Sequence, residues 1–414
     1  DNPQLIFESM NSTGKALSQA DLIRNYVLMG LEPHHQTEQY KHHWRPMELE
    51  FGQESYGTYF DAFMRHYLTV KTGDIPNVRA VYEAFKGYSH RKDVAKAGVD
   101  ALVKDVQCYA GYYCAMALGK EQDHALKEAF QDLRDLRVDV AYPLLLELYH
   151  DYAQEVLPRE DFLRALRLIE SYVFRRAICA IPTNSLNKTF ATLGRSLKKD
   201  RYLESLEANL LLLPSYRRFP NDEEFRRELQ TRDMYHLPRR SYWLRRLENH
   251  GRKERVFVDE YTIEHIMPQN PNLSEEWKHD LGPEWERVHE AKLHTIGNLT
   301  LTGYNSEYSD KSFSHMPGGF RHSPLHLNRG IAAVDHWGEE QIEARAAELS
   351  KLAVTVWPLP HVEDSLLDAY RPKPTGNGLF KYGLDDHPHL APGRPMRALF
   401  DTLRIELLAL DPNI

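Results

Sequence analysis

Glu264 and His265 stand side by side in TIEHIMPQN (262–270), and together they offer the two residue types a hydrolytic metal site needs. A carboxylate is a hard ligand for a divalent cation, and a neutral imidazole can take a proton from water near neutral pH. The pair alone carries little information, because acid–His neighbours recur at Asp123–His124, Asp335–His336 and Asp386–His387 among 21 histidines. Its surroundings carry more. The stretch LHTIGNLTLTGYNSEYSDKSF (293–313) adds His294, Asn298, Asn305 and Lys311. Phosphodiester hydrolysis needs a base to activate water and a cation to bear developing charge. A carboxylate and an amide oxygen suit Mg2+, which keeps its other positions for water and phosphate oxygens.

Such residues must be held by short, stiff elements. VFVDEYTI (256–263) is rich in β-branched and aromatic residues and predicts a strand ending at Glu264–His265. IGNLTLT (296–302) alternates apolar residues with Thr or Asn and predicts a second strand carrying Asn298. GYNSEYSDKSF then opens a helix bearing Asn305 and Lys311. Strand, strand, helix is the layout of a one-metal nuclease site. Elsewhere the pattern is helical. SQADLIRNYVLM (18–29) has Ser18 as a cap, Asp21 in the first turn and Gly30 as a stop. Residues 161–181 place Phe162, Leu166, Ile169 and Val173 on one stripe before Pro182. The expected fold class is mainly α, a helical domain with a small embedded ββα-metal module.

Composition narrows the function classes. Of 414 residues, 42% are apolar and 27% charged, as in an ordinary globular protein, and the apolar runs fall short of a membrane span. Cys108, Cys114 and Cys179 form no C-x-x-C pair, which argues against a disulfide framework or a thiolate zinc site and fits a reducing cytoplasm. The net charge is −8, yet residues 217–255 hold twelve Lys or Arg against seven Asp or Glu. Arg239, Arg240, Arg245 and Arg246 lie there among aromatics, as a phosphate-contacting surface requires; a solvated helix face with Arg–Glu pairs is the bland alternative. The chain opens DNPQLIFES, without Met, and reads as cut from something longer.

In that order, IEHIMPQ, LHTIGNLTLTGYNSEYSDKSF and HW…IEARAAELSKLAVTVWP resemble the C-terminal HNH-type nuclease half of GmrSD-like modification-dependent (type IV) restriction enzymes. IFESMNSTGKALSQADLIRNYVL resembles the end of their ParB-like half, and SYVFRRAICAIPTNSLNKTF their helical middle. The resemblance implies a ParB-like remnant over 1–35, a helical domain over 36–215 and a nuclease domain over 216–358. A linker at 359–395 and a truncated C-terminal domain at 396–414 would follow. It implies a Mg2+-dependent endonuclease, with Mn2+ as a substitute and no zinc, acting on DNA and on base-modified phage DNA in particular. His265 matches the general base, Glu264 the adjacent metal ligand, Asn298 the amide bracing the histidine's loop, and Asn305 the second ligand. Lys311 would contact the scissile phosphate, and His294 the DNA or the leaving group. The family's DGQQR motif and any G-x-x-x-x-G-K-[ST] loop are missing, so nucleotide chemistry would need an absent segment or a partner. A homodimer is one route to double-strand cleavage. The competing expectation is a catalytically silent DNA-binding or regulatory module working with a separate NTPase.

Overall fold

The computed structural model describes residues 17–238, 240–258, 261–303, 313, 323–371, 396–397 and 399–402. The protein is mainly α, as its periodicity predicts. The helices that support the site are α1 (Gln19–Leu28), α2 (Gln53–Thr72), α3 (Val99–Ala117), α4 (His124–Asp135), α5 (Tyr142–Ala153) and α6 (Arg159–Ile178). They continue with α7 (Tyr202–Leu211), α8 (Asp222–Thr231) and α9 (Arg240–Asn249). Strand β1 (Thr262–His265), α10 (Glu275–Leu281), α11 (Trp285–Lys292), β2 (Leu299–Thr302), α12 (Glu339–Val356) and α13 (Asp364–Tyr370) complete the set.

Local chemistry starts these helices where the sequence offers a cap. Ser18 Oγ accepts from the Asp21 backbone N at 3.1 Å, Asp123 Oδ1 from Leu126 N at 3.1 Å, and Asn221 Oδ1 from Glu224 N at 2.8 Å. Gly30, at φ 94°, takes the chain out of α1 in a conformation that suits glycine. α6 departs from the expected 161–181. It ends at Ile178, and the chain turns through Ala180 at φ 52° before Pro182 is reached. Phe162, Leu166 and Ile169 are fully buried, but Val173 is only partly so, while Arg175 and Arg176 are buried. The helix is packed on several sides, so no single stripe describes it.

One apolar core runs continuously from α1 through the helical middle to β2 and α12. That core spans the boundaries expected near 35 and 215. The first unit extends to Leu367 and a second begins at Asp368. Within the segment expected as linker, residues 364–370 form α13. The described residues of the second unit finish α13 and add helical residues at 396–397 and 399–402.

The two strands pair antiparallel, with Glu264 opposite Thr300 and His265 opposite Leu299. Leu299 and Leu301 of β2 join the main core. A smaller core of Ile266, Met267, Trp277, Val288, Phe313, Trp337 and Ile342 lies beneath the segment after β1. The helix expected after β2 falls at 304–312, outside the described residues, as do Asn305 and Lys311.

Candidate active site

β1 is only four residues long and ends at His265. The imidazole is 3% exposed, with Nε2 at 3.0 Å from Nδ1 of His294. The Tyr235 ring sits against both imidazoles, tilted on His265 at 4.4 Å and stacked on His294 at 5.3 Å. Burial holds His294 below the usual imidazole range, so it is neutral near pH 7.

Asn298 is the structural centre of this arrangement. It closes a short 3₁₀ turn (Ile296–Asn298) just before β2, rather than lying within the strand as expected, and it is fully buried. Oδ1 accepts from Met267 N at 2.8 Å and from Trp337 Nε1 at 3.2 Å. Nδ2 donates to Met267 O at 3.2 Å and Leu293 O at 2.9 Å, and the Asn298 backbone carbonyl accepts from Ile266 N at 3.0 Å. All four amide valences are used. They tie the residues just after His265 to the residue just before His294. His289 adds a bond from its ring to Pro268 O at 2.8 Å.

Glu264, the preceding residue of β1, is half-buried. Burial pushes its carboxyl up to about 7, and it makes no ion pair with another described residue. A carboxylate desolvated in this way gains from a cation placed against it, so its chemistry fits a divalent-ion ligand. It is the one expected metal ligand among the described residues.

The turn itself is held by α12. The Arg345 guanidinium is buried and donates to the carbonyls of Ile296 (3.1 Å), Gly297 (2.8 Å), Leu299 (2.8 Å) and Leu327 (3.1 Å). Burial pulls it down to about 10, still charged near neutral pH.

The basic segment needs correction. Arg246 is directed inward, with Nε at 2.8 Å from Glu170 and 3.6 Å from Asp132. Arg245 pairs with Asp132 at 2.9 Å and also with Asp135. Both cations join Arg167 in neutralising acids of α4 and α6, so neither is a free phosphate contact. Arg239 lies outside the described residues, as does the side chain of Arg240, which opens α9.

The sequence reading missed Asp233, Tyr235 and His236. Asp233 Oδ2 lies 2.8 Å from His236 Nδ1, and Met234 N donates to His294 O at 2.8 Å, which brings this turn against the histidine pair. Hydrogen bonds from His236 outweigh burial and hold the Asp233 carboxyl below its ordinary value. The signal was present as D-M-Y-H, a carboxylate and an imidazole three residues apart, but the fold alone brings them to His294.

Residues 219–352 match the family model for the C-terminal domain of GmrSD restriction endonucleases. No curated protein matches the chain.

Proposed function

We propose that the chain is a divalent-metal-dependent DNA endonuclease of the HNH type, on the premise that residues 219–352 match the family model for the C-terminal domain of GmrSD restriction endonucleases. The observation that carries this reading is the brace at Asn298, which spends three of its four amide hydrogen bonds on the backbone beside His265 and His294 and the fourth on Trp337, with Glu264, which has no ion pair among the described residues, next to His265. Rigid placement of a buried histidine is costly and serves chemistry better than packing.

His265 removes a proton from a water molecule aligned with the scissile phosphorus. The water oxygen forms the new P–O bond, the bond to the 3′ oxygen breaks, and that oxygen takes a proton from solvent. Glu264 and Asn305 would hold Mg2+, or Mn2+ in its place. The bound ion supplies stabilisation of charge on the phosphate and leaving oxygens. His294 Nδ1 accepts the hydrogen bond from His265 Nε2 that orients the His265 ring and leaves its other nitrogen to take the proton, and Lys311 meets the phosphate. Arg239 and Arg240 remain as DNA contacts from the basic segment. Restriction of base-modified phage DNA, control by a nucleotide bound elsewhere and cleavage by a homodimer belong to the same proposal. Among the described residues, no helix is long and apolar enough to cross a membrane.

Plasmid cleavage by the full chain with Mg2+ or Mn2+, beside EDTA and a His265→Ala variant, tests the reading on unmodified and glucosylated DNA. Loss of the general base is expected to cut the rate by roughly 10²–10⁴. Metal-dependent cleavage that survives in His265→Ala would reject the assignment. DNA binding without cleavage under every condition would favour the silent regulatory module.

A further inference from the structure

Beside His265, Asp233, His236 and His294 each offer one ligand atom, and these atoms all lie within 4.8 Å of one another. We propose that they form a second cation site, taking one divalent d-block ion of the Zn2+ type. Two imidazoles and a carboxylate are the donor set of three-ligand zinc and related sites, in which a water fills the remaining position. Mg2+ is the wrong ion for this set, because it prefers oxygen donors. The cysteine count bears only on thiolate sites and leaves a His/Asp site open.

The cluster is assembled in advance. Asp233 is fixed by the His236 backbone N, which donates to Oδ1 at 2.9 Å, while Oδ2 faces the His236 ring. The Met234–His294 backbone bond joins this turn to the third ligand. Tyr235 stacks on the His294 ring with only 15° between planes, which fixes its orientation. A surface His–Asp pair is commonplace; a third ligand locked to that pair by backbone and ring contacts is not. His294 uses Nδ1 toward His265, which leaves Nε2 for the ion. Asp233 and His236 are exposed, so an ion reaches them without unfolding the chain.

The location gives the site a consequence. An ion on His294 Nε2 fixes the His294 proton on Nδ1, so Nδ1 becomes the donor toward His265. Occupancy therefore makes His265 Nε2 the acceptor, the tautomer in which His265 Nδ1 carries a proton and takes none from water. Binding itself does not depend on the nuclease reading.

The test is a Co2+ titration of the metal-stripped full chain, followed by its visible d–d absorption, with Asp233→Asn and His236→Gln variants alongside. The wild type is expected to take one Co2+ into a site with d–d bands, and one equivalent of Zn2+ should erase them. Each variant should weaken Co2+ binding about tenfold or more. Circular dichroism of the metal-free variants checks their folds, and His236→Gln decides alone if Asp233→Asn is disturbed. Bands that persist unchanged in His236→Gln would place the ion on other histidines and overturn the proposal, as would the absence of binding. The readout is spectral, so a chain that fails to cleave DNA still tests this site.

Discussion

Asn298 shows how much one side chain can be asked to do. Its carboxamide closes bonds to Met267, Leu293 and Trp337, on three separate segments. Asn298→Asp keeps the acceptor and loses the donor, placing a carboxylate against the carbonyls of Met267 and Leu293. We expect a loss of about 1–3 kcal/mol of stability, since buried carbonyls are left unsatisfied. Cleavage should fall far more than stability does, because Leu293, beside His294, loses its side-chain anchor and Met267, near His265, keeps only one of its two. Parallel denaturant melts and plasmid cleavage on folded protein separate the two, and an equal, small effect on both would reduce Asn298 to a packing residue. At this scale residue type and spacing marked Glu264, His265 and Asn298 as candidates, and the fold brings Asn298 against the segments beside His265 and His294. Asp233 and His236 were illegible because their partner, His294, is 58 residues from His236 and meets it only in the fold. The inward ion pairs of Arg245 and Arg246 were hidden for the same reason, since their acids stand on helices far earlier in the chain.

The elements that aim these residues are a short turn and one long helix. The 296–298 turn lies so close to α12 that a Cβ on Gly297 would fall 2.2 Å from the carbonyl oxygen of Ile342. That oxygen is helix backbone, which cannot yield like a side-chain tip. Gly297→Ala must push α12 and the turn apart, lengthening the bonds from Arg345 to Ile296, Gly297 and Leu299. Overpacking of this kind costs about 1–3 kcal/mol, and the damaged guanidinium contacts add to it. A lower melting temperature and weaker cleavage should appear together; a variant that melts with the wild type would show that the two elements have slack. Helix α1 was readable from its cap and apolar spacing, and most of α6 from its apolar spacing, because those signals act within a few residues. The strands were read too long. VFVDEYTI has strand-like composition throughout, but among the described residues only Thr262–His265 pair with a partner strand, and pairing rather than propensity makes a strand.

At the scale of the molecule, the nuclease half is built into the helical half rather than tethered to it. Tyr242 of α9 donates to Glu170 of α6, and Arg246 pairs with the same carboxylate. Glu170 is fully buried; burial opposes its ionisation, but Arg246 and Arg167 more than compensate and hold it ionised. The end of α12 is clasped as well: Arg175 Nε donates to Trp357 O at 2.7 Å and Ser171 Oγ to Pro358 O at 2.8 Å. Trp357 also packs against Phe174, with ring centroids 4.1 Å apart and the planes tilted by 32°. A fragment limited to 219–358 would expose that aromatic surface and strip Arg245 and Arg246 of their acids. We therefore expect the fragment to be insoluble or unfolded, although its length alone would suffice for a domain. In the intact chain, Arg246→Met should cost about 3–5 kcal/mol, since it breaks a buried pair from one side while Arg167 remains. The two halves should also melt together. Trp44 reports on the helical half, whereas Trp277 and Trp337 report on the core beneath the site, and all three are buried. Tryptophan fluorescence from single-Trp variants should coincide with the loss of helical circular dichroism in one transition. An earlier transition at Trp277 or Trp337, or a fragment 219–358 that folds and cleaves DNA by itself, would show that the shared core is a docking surface between independent domains.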